Sequence, residues 1–270
     1  MKLATTGRVK AGEFAPIVFR GDYASFIPRA AKIGYDAIEL HIHDSAELDR
    51  PALKKLLDDN GMSLTSIGTG SAYGEDRIFL SSGDQGVRER AIKRLEDHIV
   101  TAADYGAVVI VGLIKGLVKD SPSKEECLKN LDASLKALLP TAEKHRVPLV
   151  FEIINRYESD FINTIEDGLS FLSTYNTPWL KLHIDTYHMN IEERDIGASI
   201  RKGKGMIGHC HLADSDRWYV GHGHYDFKET LDALRDIGYD GALAVESYMF
   251  PDSDTSAVES LKTMRALLGK

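Results

Sequence analysis

The sequence has few cysteines, no long apolar run and no targeting segment, and each absence excludes a class of protein. Its 270 residues include two cysteines, Cys127 and Cys210, whose separation fits neither a disulfide scaffold nor a thiolate metal site. No apolar run reaches the roughly 18 residues that a membrane span requires. The first residues lack the apolar stretch of a signal peptide. We therefore expect a cytoplasmic protein without a membrane partner.

Basic clusters of the kind that follow a phosphate backbone are also absent. The formal net charge is −8, and 43% of the residues are hydrophobic. Because non-specific affinity for nucleic acid comes mostly from positive charge, nucleic acid is not expected as a partner. The acidic balance is typical of a soluble surface over a substantial core.

Short β-rich runs alternate with longer segments of helical periodicity along the whole chain. Such alternation predicts right-handed βαβ crossovers and a parallel sheet. Eight units in this length favour a single (β/α)₈ TIM barrel domain over residues 1–270. An open doubly wound sheet is the alternative, but no glycine-rich dinucleotide turn follows the first strand. The candidate strands are 16–19, 37–40, 63–68, 107–112, 148–152, 180–185, 207–214 and 242–246. The segment "MKLATTGRV" is a second candidate for the first strand.

Four successive candidate strands end in a side chain that can bind a metal ion. They are Glu152, Asp185, His211 and Glu246, which follow one another at intervals of 33, 26 and 35 residues. Barrel enzymes carry their chemistry where strands finish and βα loops begin, so we expect these side chains to converge. Alternation along the strands then places Ala244, His209 and His183 inside the barrel.

Three carboxylates and one imidazole form a ligand set that suits a hard divalent cation. We expect one Mn²⁺ ion, with Mg²⁺ or Co²⁺ as alternatives, and the absence of thiolate argues against structural zinc. Four protein ligands leave about two positions of an octahedral shell for a chelating substrate.

Several motifs resemble the sugar-phosphate isomerase/epimerase superfamily of xylose isomerase-like barrels. They are "FEIINRYESDFIN", "HIDTYHMNIEE", "HCHLADSDRW", "GHGHYDF" and "AVES". Within the superfamily the chain is most similar to ketose 3-epimerases of the tagatose and psicose types and to 5-keto-L-gluconate epimerase. The segments "GTGSAY" and "RYESDFINTIEDGL" resemble the last of these in particular. The resemblance covers nearly the whole chain and is strongest after Val147.

The resemblance implies roles for these residues. Glu152 and Glu246 would be the acid/base pair besides binding the metal with Asp185 and His211. The same resemblance implies that substrate is held by Glu158, His188 and Arg217. It also implies a homodimer or homotetramer. One departure is visible, because Val220 stands where the family's lid usually has proline.

Further candidates come from their positions after the strands. Lys115 follows the fourth strand, so we expect it at the rim of the site, where it would meet the carboxylate of a keto-sugar acid. Tyr73, in a glycine-rich loop without the lysine of a P-loop, is expected to cover bound sugar. We expect rim or packing roles for His41 and His43, and an inward position for Glu39 beside the inner histidines.

The sequence therefore predicts metal-dependent epimerisation at C3 of a ketose or keto-sugar acid, through a cis-enediolate. Two carboxylates on opposite sides of the substrate can remove a proton from one face and deliver one to the other. A hydroxypyruvate-type aldose–ketose isomerase or an inosose dehydratase is an alternative on the same barrel. A metal-dependent phosphodiesterase acting on DNA, or a catalytically silent sugar-binding barrel, is less consistent with this chain.

Overall fold

Eight parallel strands close into a barrel in the computed structural model, which describes residues 1–69 and 71–269. Each barrel strand hydrogen-bonds the next along the chain, and the eighth pairs with the first, with Ala4 opposite Ala244. The strands are β1 (Lys2–Arg8), β2 (Ala37–His41), β3 (Ser63–Gly68), β4 (Val108–Val111), β5 (Leu149–Glu152), β6 (Leu180–Asp185), β7 (Ile207–Leu212) and β8 (Ala242–Val245). The predicted TIM barrel is confirmed.

The main sequence interpretation assigned the first strand to the wrong segment. Residues 16–19 do not form a barrel strand; a two-residue strand, Phe19–Arg20, pairs with the end of β1 outside the barrel. The second candidate, at the start of the chain, is the true β1. It was harder to recognise because threonines interrupt its apolar pattern, and one of them, Thr6, donates a hydrogen bond to the carbonyl of Val245 inside the barrel.

A helix follows each barrel strand and covers the outside of the sheet. The eight are α1 (Tyr23–Ile33), α2 (Arg50–Asp59), α3 (Gln85–Ala103), α4 (Lys124–His145), α5 (Ile165–Leu172), α6 (Ile196–Lys202), α7 (Phe227–Asp236) and α8 (Ser253–Leu268). Further elements in the βα loops are the helices Ser71–Gly74 and Thr186–Glu192 and the 3₁₀ turns Ser45–Glu47, Leu113–Lys115 and Val118–Asp120. No helix in the described ranges is long and apolar enough to cross a membrane.

Capping residues determine where most of the helices begin. A side chain at the N-cap accepts a backbone N–H in α2 to α8, and α5 has a full capping box between Thr164 and Asp167. At the other end, α1 stops at Gly34, whose φ of 114° lies in the left-handed region that glycine adopts at little cost.

The side chains of the strands divide into two sets, as their alternation predicts. Leu182, Ile184 and Cys210 point outward into the main apolar core under the helices. Ala4, Ala37 and Ala244 form a separate small cluster inside the barrel. The inner side chains are small at the level of these alanines. Toward the carboxyl ends of the strands the barrel interior contains polar groups, and these polar groups form the candidate site.

Candidate active site

The four side chains at the ends of β5 to β8 converge at one end of the barrel. Each offers a ligand atom, and these atoms all lie within 4.8 Å of one another. All four residues are buried. The group consists of Glu152, Asp185, His211 and Glu246.

Unpaired buried atoms in this group fit a divalent cation. Oδ2 of Asp185 and Nδ1 of His211 are buried without a hydrogen-bond partner in the part of the chain that the structure describes, although buried polar atoms normally have one. Oδ1 of the same aspartate is already held by the backbone N–H of Tyr187 at 2.7 Å. A cation among three carboxylates and one imidazole would satisfy both unpaired atoms.

Glu39 supports the imidazole from below. Its fully buried carboxylate accepts hydrogen bonds from Nε2 of His211 at 2.9 and 3.0 Å and from Nε2 of His209 at 2.8 Å. His41 and Ser66 donate to it as well. Burial alone would raise the pKa of Glu39, but the histidines around it hold that pKa well below its usual value. The inward position predicted for Glu39 is what the structure has.

The two glutamates of the site have environments that separate their pKa values. Burial, followed by the nearby Glu246 carboxylate, raises the pKa of Glu152 to about 8. Burial also acts against the charged form of Glu246, but His211 and Arg217 outweigh it and lower its pKa. Without a cation, one carboxyl is therefore protonated and the other ionised near neutral pH.

His188 is held by a residue that the sequence interpretation did not single out. Nδ2 of Asn155 donates to Nδ1 of His188 at 2.7 Å and to Oε1 of Glu158 at 3.0 Å. The proton of a neutral His188 ring then sits on Nε2, which lies 3.8 Å from Oε1 of Glu152 and 3.9 Å from Oδ2 of Asp185. Burial lowers the pKa of His188 well below its usual value, and Arg217 and Lys115 add to the effect. His188 is thus a neutral donor beside the ligand group.

Arg217 joins two carboxylates of the site. Its guanidinium donates to Glu158 at 2.8 Å and to Glu246 at 3.1 Å, and it lies over the ring of Tyr187. Its Nε is buried and has no hydrogen-bond partner within residues 1–69 and 71–269. The residue has a φ of 63°, a region that non-glycine residues rarely adopt, and such strain concentrates at functional sites.

A cavity of about 210 Å³ opens beside these groups. Six of the residues predicted for the site line it, while Asp185 is fully buried; the six are Glu152, Glu158, His188, His211, Arg217 and Glu246. Ala15, Pro16 and Ile17 contribute an apolar wall. The cavity therefore combines the ligand group, two hydrogen-bond donors and an apolar side, as a small-molecule site requires.

Lys115 does not lie at the rim, and this expectation was wrong. The side chain is fully buried, and Nζ donates to the backbone carbonyl of Glu152 at 2.8 Å. The rings of Phe151 and Phe161 lie 5.1 and 5.8 Å from the ammonium. A 3₁₀ turn directly after β4 directs the lysine inward, and burial lowers its pKa to about 8. Lys115 thus supports the end of β5 and is absent from the cavity lining.

Tyr73 also points away from the cavity. Its ring packs with Phe79 and Leu117, and its hydroxyl donates to Oδ2 of Asp120 at 2.5 Å. The preceding Gly70, part of the predicted substrate loop, lies outside the described residues. Tyr73 lies in the short helix Ser71–Gly74, and the sequence pattern did not indicate its packing against Phe79 and Leu117.

The loop after β7 is held by hydrogen bonds although proline is absent from it. The backbone N–H of Val220 donates to Oγ of Ser260 at 3.0 Å, a bond that proline cannot make. The carboxylate of Asp214 accepts from the backbone N–H groups of Gly221 and Tyr225 in the same loop. Val220 is fully buried. These hydrogen bonds thus hold the loop without the proline that is usual in the family's lid.

Gly112 is a second functional position that the sequence interpretation missed. A Cβ atom on this residue would lie 2.5 Å from Oε2 of Glu152. Only a residue without a side chain lets the carboxylate approach the backbone this closely. The end of β4, a strand that contributes no ligand, therefore positions the carboxylate of β5.

Known proteins with similar sequences and structures include sugar epimerases. An L-ribulose 3-epimerase of Mesorhizobium japonicum is 34% identical over 218 residues, which cover 80% of this chain and 72% of that protein. An L-ribulose 3-epimerase of Methylomonas sp. strain DH-1 is 31% identical over 274 residues, 98% of this chain and 93% of the other. The crystal structure of a D-allulose 3-epimerase from Methylomonas sp., in complex with D-allulose, superposes with a TM-score of 0.83 at 27% identity and covers 98% and 96% of the two chains.

These relatives confirm the resemblance that the motifs indicated, including the expectation of an enzyme related to sugar epimerases. The sequence also matches the xylose isomerase-like TIM barrel family over residues 27–267, nearly the whole length. The chain therefore belongs to the xylose isomerase-like TIM barrel family, and its relatives there include ketose 3-epimerases.

Proposed function

We propose that the protein is a divalent-metal-dependent 3-epimerase of a ketose or keto-sugar acid. The observation that carries the proposal is the convergence of Glu152 and Glu246 on one ligand group beside a small cavity. The ketose 3-epimerases among its relatives support the same reaction. We assign metal binding to both glutamates together with Asp185 and His211.

Glu152 and Glu246 divide the proton transfers between them. They follow strands separated by two others, so their carboxyl groups can lie on either side of a bound sugar. One carboxylate removes the proton from C3, and the other carboxyl group delivers a proton to the opposite face, which inverts that carbon. Which glutamate acts as the base depends on the epimer that is bound.

The remaining polar groups stabilise the enediolate and hold the substrate. Nε2 of His188 donates toward the carbonyl oxygen at C2, and the Arg217 guanidinium compensates negative charge that develops there. Glu158, aligned by Arg217 and Asn155, accepts hydrogen bonds from substrate hydroxyls. A divalent cation held by the four ligands would act as a Lewis acid that stabilises negative charge on the substrate oxygens. Mn²⁺ is the ion that we assign, with Mg²⁺ and Co²⁺ as alternatives.

Solvent-deuterium exchange followed by NMR tests the reaction. The purified protein, stripped with a chelator and then given Mn²⁺, Mg²⁺ or Co²⁺, is incubated with a panel of ketoses and keto-sugar acids in D₂O. We expect deuterium at C3 and a mixture of C3 epimers, both dependent on added metal. An aldose product with deuterium at another carbon would identify an aldose–ketose isomerase instead.

Glu152→Gln and Glu246→Gln test the assignment of the two acids. Each variant should lose epimerisation, and each should lose C3 exchange with one of the two epimers, because each glutamate faces one side of the sugar. Metal content is measured in both variants to separate binding from proton transfer. If both retain metal and only one loses exchange at C3, the two-base scheme is wrong.

A further inference from the structure

A second cavity neighbours the catalytic one and is larger. It has a volume of about 460 Å³, against about 210 Å³ for the catalytic cavity. Arg8 and His41 line both cavities and so form their boundary. A substrate seated over the four ligands could therefore extend past these two residues.

Arg8 is positioned to bind a chemical group of a substrate that extends from the catalytic cavity into the second cavity. It is the last residue of β1, at the end of the barrel where the ligand group lies, and its side chain is only 15% exposed. Among the described residues its side chain makes one hydrogen bond, from Nη2 to Oε1 of Glu75 at 2.6 Å. The guanidinium group has five N–H donors, so most of them are without a protein acceptor.

The other charges of the two cavities restrict what Arg8 can bind. The catalytic cavity presents the carboxylates of Glu152, Glu158 and Glu246, and the guanidinium of Arg217 is already bound to two of them. Arg217 is therefore already paired with carboxylates of the protein and is not the expected partner for an anionic group at the remote end of the substrate. Lys115, the cation expected to meet such a group, is buried outside the cavity.

The second cavity adds the ammonium group of Lys10 to the Arg8 guanidinium that both cavities share. Lys10 and His43 line it together with Arg8. Three carboxylates line it too: Glu75 pairs with Arg8, Asp44 accepts the backbone N–H of Ala46, and Glu47 completes the set. Glu75 is 57% exposed, so it can move into solvent when another anion takes its place on the guanidinium.

We propose that Arg8 is a specificity-determining residue, which selects substrates with an anionic group at the end remote from the reacting carbon. The anion, a carboxylate or a phosphate, displaces Glu75 and pairs with the planar guanidinium through two N–H donors. This inference rests on the proposed function and narrows its substrate class to anionic sugars.

The test compares kcat/KM for three substrates of matched configuration: a neutral ketose, its keto-sugar acid and its terminal phosphate. Wild-type protein should prefer one or both of the anions, and the preferred anion identifies the source of the negative charge. In Arg8→Gln the ratio of kcat/KM for the anion to that for the neutral ketose should fall by about 10- to 100-fold, the value of a charge-assisted hydrogen-bonded pair. Glu75→Gln should raise the same ratio because the competing carboxylate is gone.

Two further variants test whether the effect is specific to the guanidinium group of Arg8. Arg8→Lys keeps the charge without the planar fork and should give an intermediate ratio, which also answers the case of a poorly folded Arg8→Gln. Arg235→Gln removes one positive charge from the end of α7, outside both cavities, and should leave the ratio unchanged.

Two outcomes would overturn the proposal in different ways. C3 exchange with equal ratios in wild type and Arg8→Gln would exclude a role for Arg8 and leave the epimerase assignment intact. Absence of C3 exchange with all three substrates in the presence of metal would reject the proposed function, and the role of Arg8 with it.

Discussion

Glu39 accepts a hydrogen bond from Nε2 of His211 at 2.9 Å, while Nδ1 of the same ring lies 3.4 Å from Glu246. The ring is thus fixed from one side and directed toward the ligand group on the other. Burial acts against a charged ring, yet the carboxylates of Glu39 and Glu246 raise the pKa of His211 well above its usual value. A carboxylate behind a histidine ligand fixes its tautomer and increases its basicity.

Glu39→Gln should therefore weaken metal binding by about 10- to 100-fold, the usual effect of losing such a partner. The neutral amide cannot stabilise the imidazole as a carboxylate does. Titration calorimetry with Mn²⁺ measures the change. Ser66→Ala is the matched control, since Ser66 donates to Glu39 without touching His211, and its effect should be smaller. Unchanged metal affinity in Glu39→Gln would contradict the supporting role.

Asn155→Ala should lower kcat/KM by about 10- to 100-fold, because His188 loses the bond that orients its ring. Metal content should stay as in the wild type, since Asn155 bonds to none of the four ligands. Steady-state kinetics and metal analysis on the same preparation separate the two effects. Asn60→Ala, at the end of α2, is the control. A variant that loses metal together with activity would show that Asn155 acts on the ligand group instead.

Gly112→Ala should lower the activity about 100-fold while the barrel still folds. The added methyl group would meet the carboxylate of Glu152 and displace it from the ligand group. Circular dichroism checks the fold, and C3 exchange checks the activity. Gly83→Ala serves as control, because its nearest contact would be an ordinary 3.7 Å. Full activity in Gly112→Ala would mean that the carboxylate has room to move.

His98 should make the protein less stable in acid. This residue of α3 is buried, with Nδ1 2.5 Å from Oγ of Ser45 and with Nε2 unpaired among the residues that the structure describes. Burial, aided by the charge of Arg94, lowers its pKa to about 3 from the 6.5 that is ordinary for histidine. Between these two pH values the unfolded chain binds a proton that the folded chain does not, so the stability falls as the pH falls.

At pH 5 this difference corresponds to about 2 kcal/mol of lost unfolding free energy. Urea titrations at pH 7 and pH 5 measure the loss for the wild type and for His98→Gln. The variant should lose about 2 kcal/mol less than the wild type over the same interval. An equal loss in both proteins would assign the acid sensitivity to other groups.

The sequence by itself determined the architecture and the ligand group. A parallel barrel repeats one strand–helix unit, so both its period and its strand ends can be recognised along the chain. Strand alternation then fixed which side chains point inward, and the inward positions of Glu39, His183 and His209 followed from it. These features depend on the order of the residues along a single strand, which can be taken directly from the sequence.

Only the tertiary structure decided how the side chains meet. Glu39 and His211 are 172 residues apart, and their bond exists because β2 and β7 both direct side chains into the same barrel interior. Lys115 was placed at the rim because a strand end usually leads there, but a turn after β4 buries it. No sequence motif singled out Arg8. Such contacts depend on loop paths and rotamers across distant segments, whose packing energies no local pattern encodes.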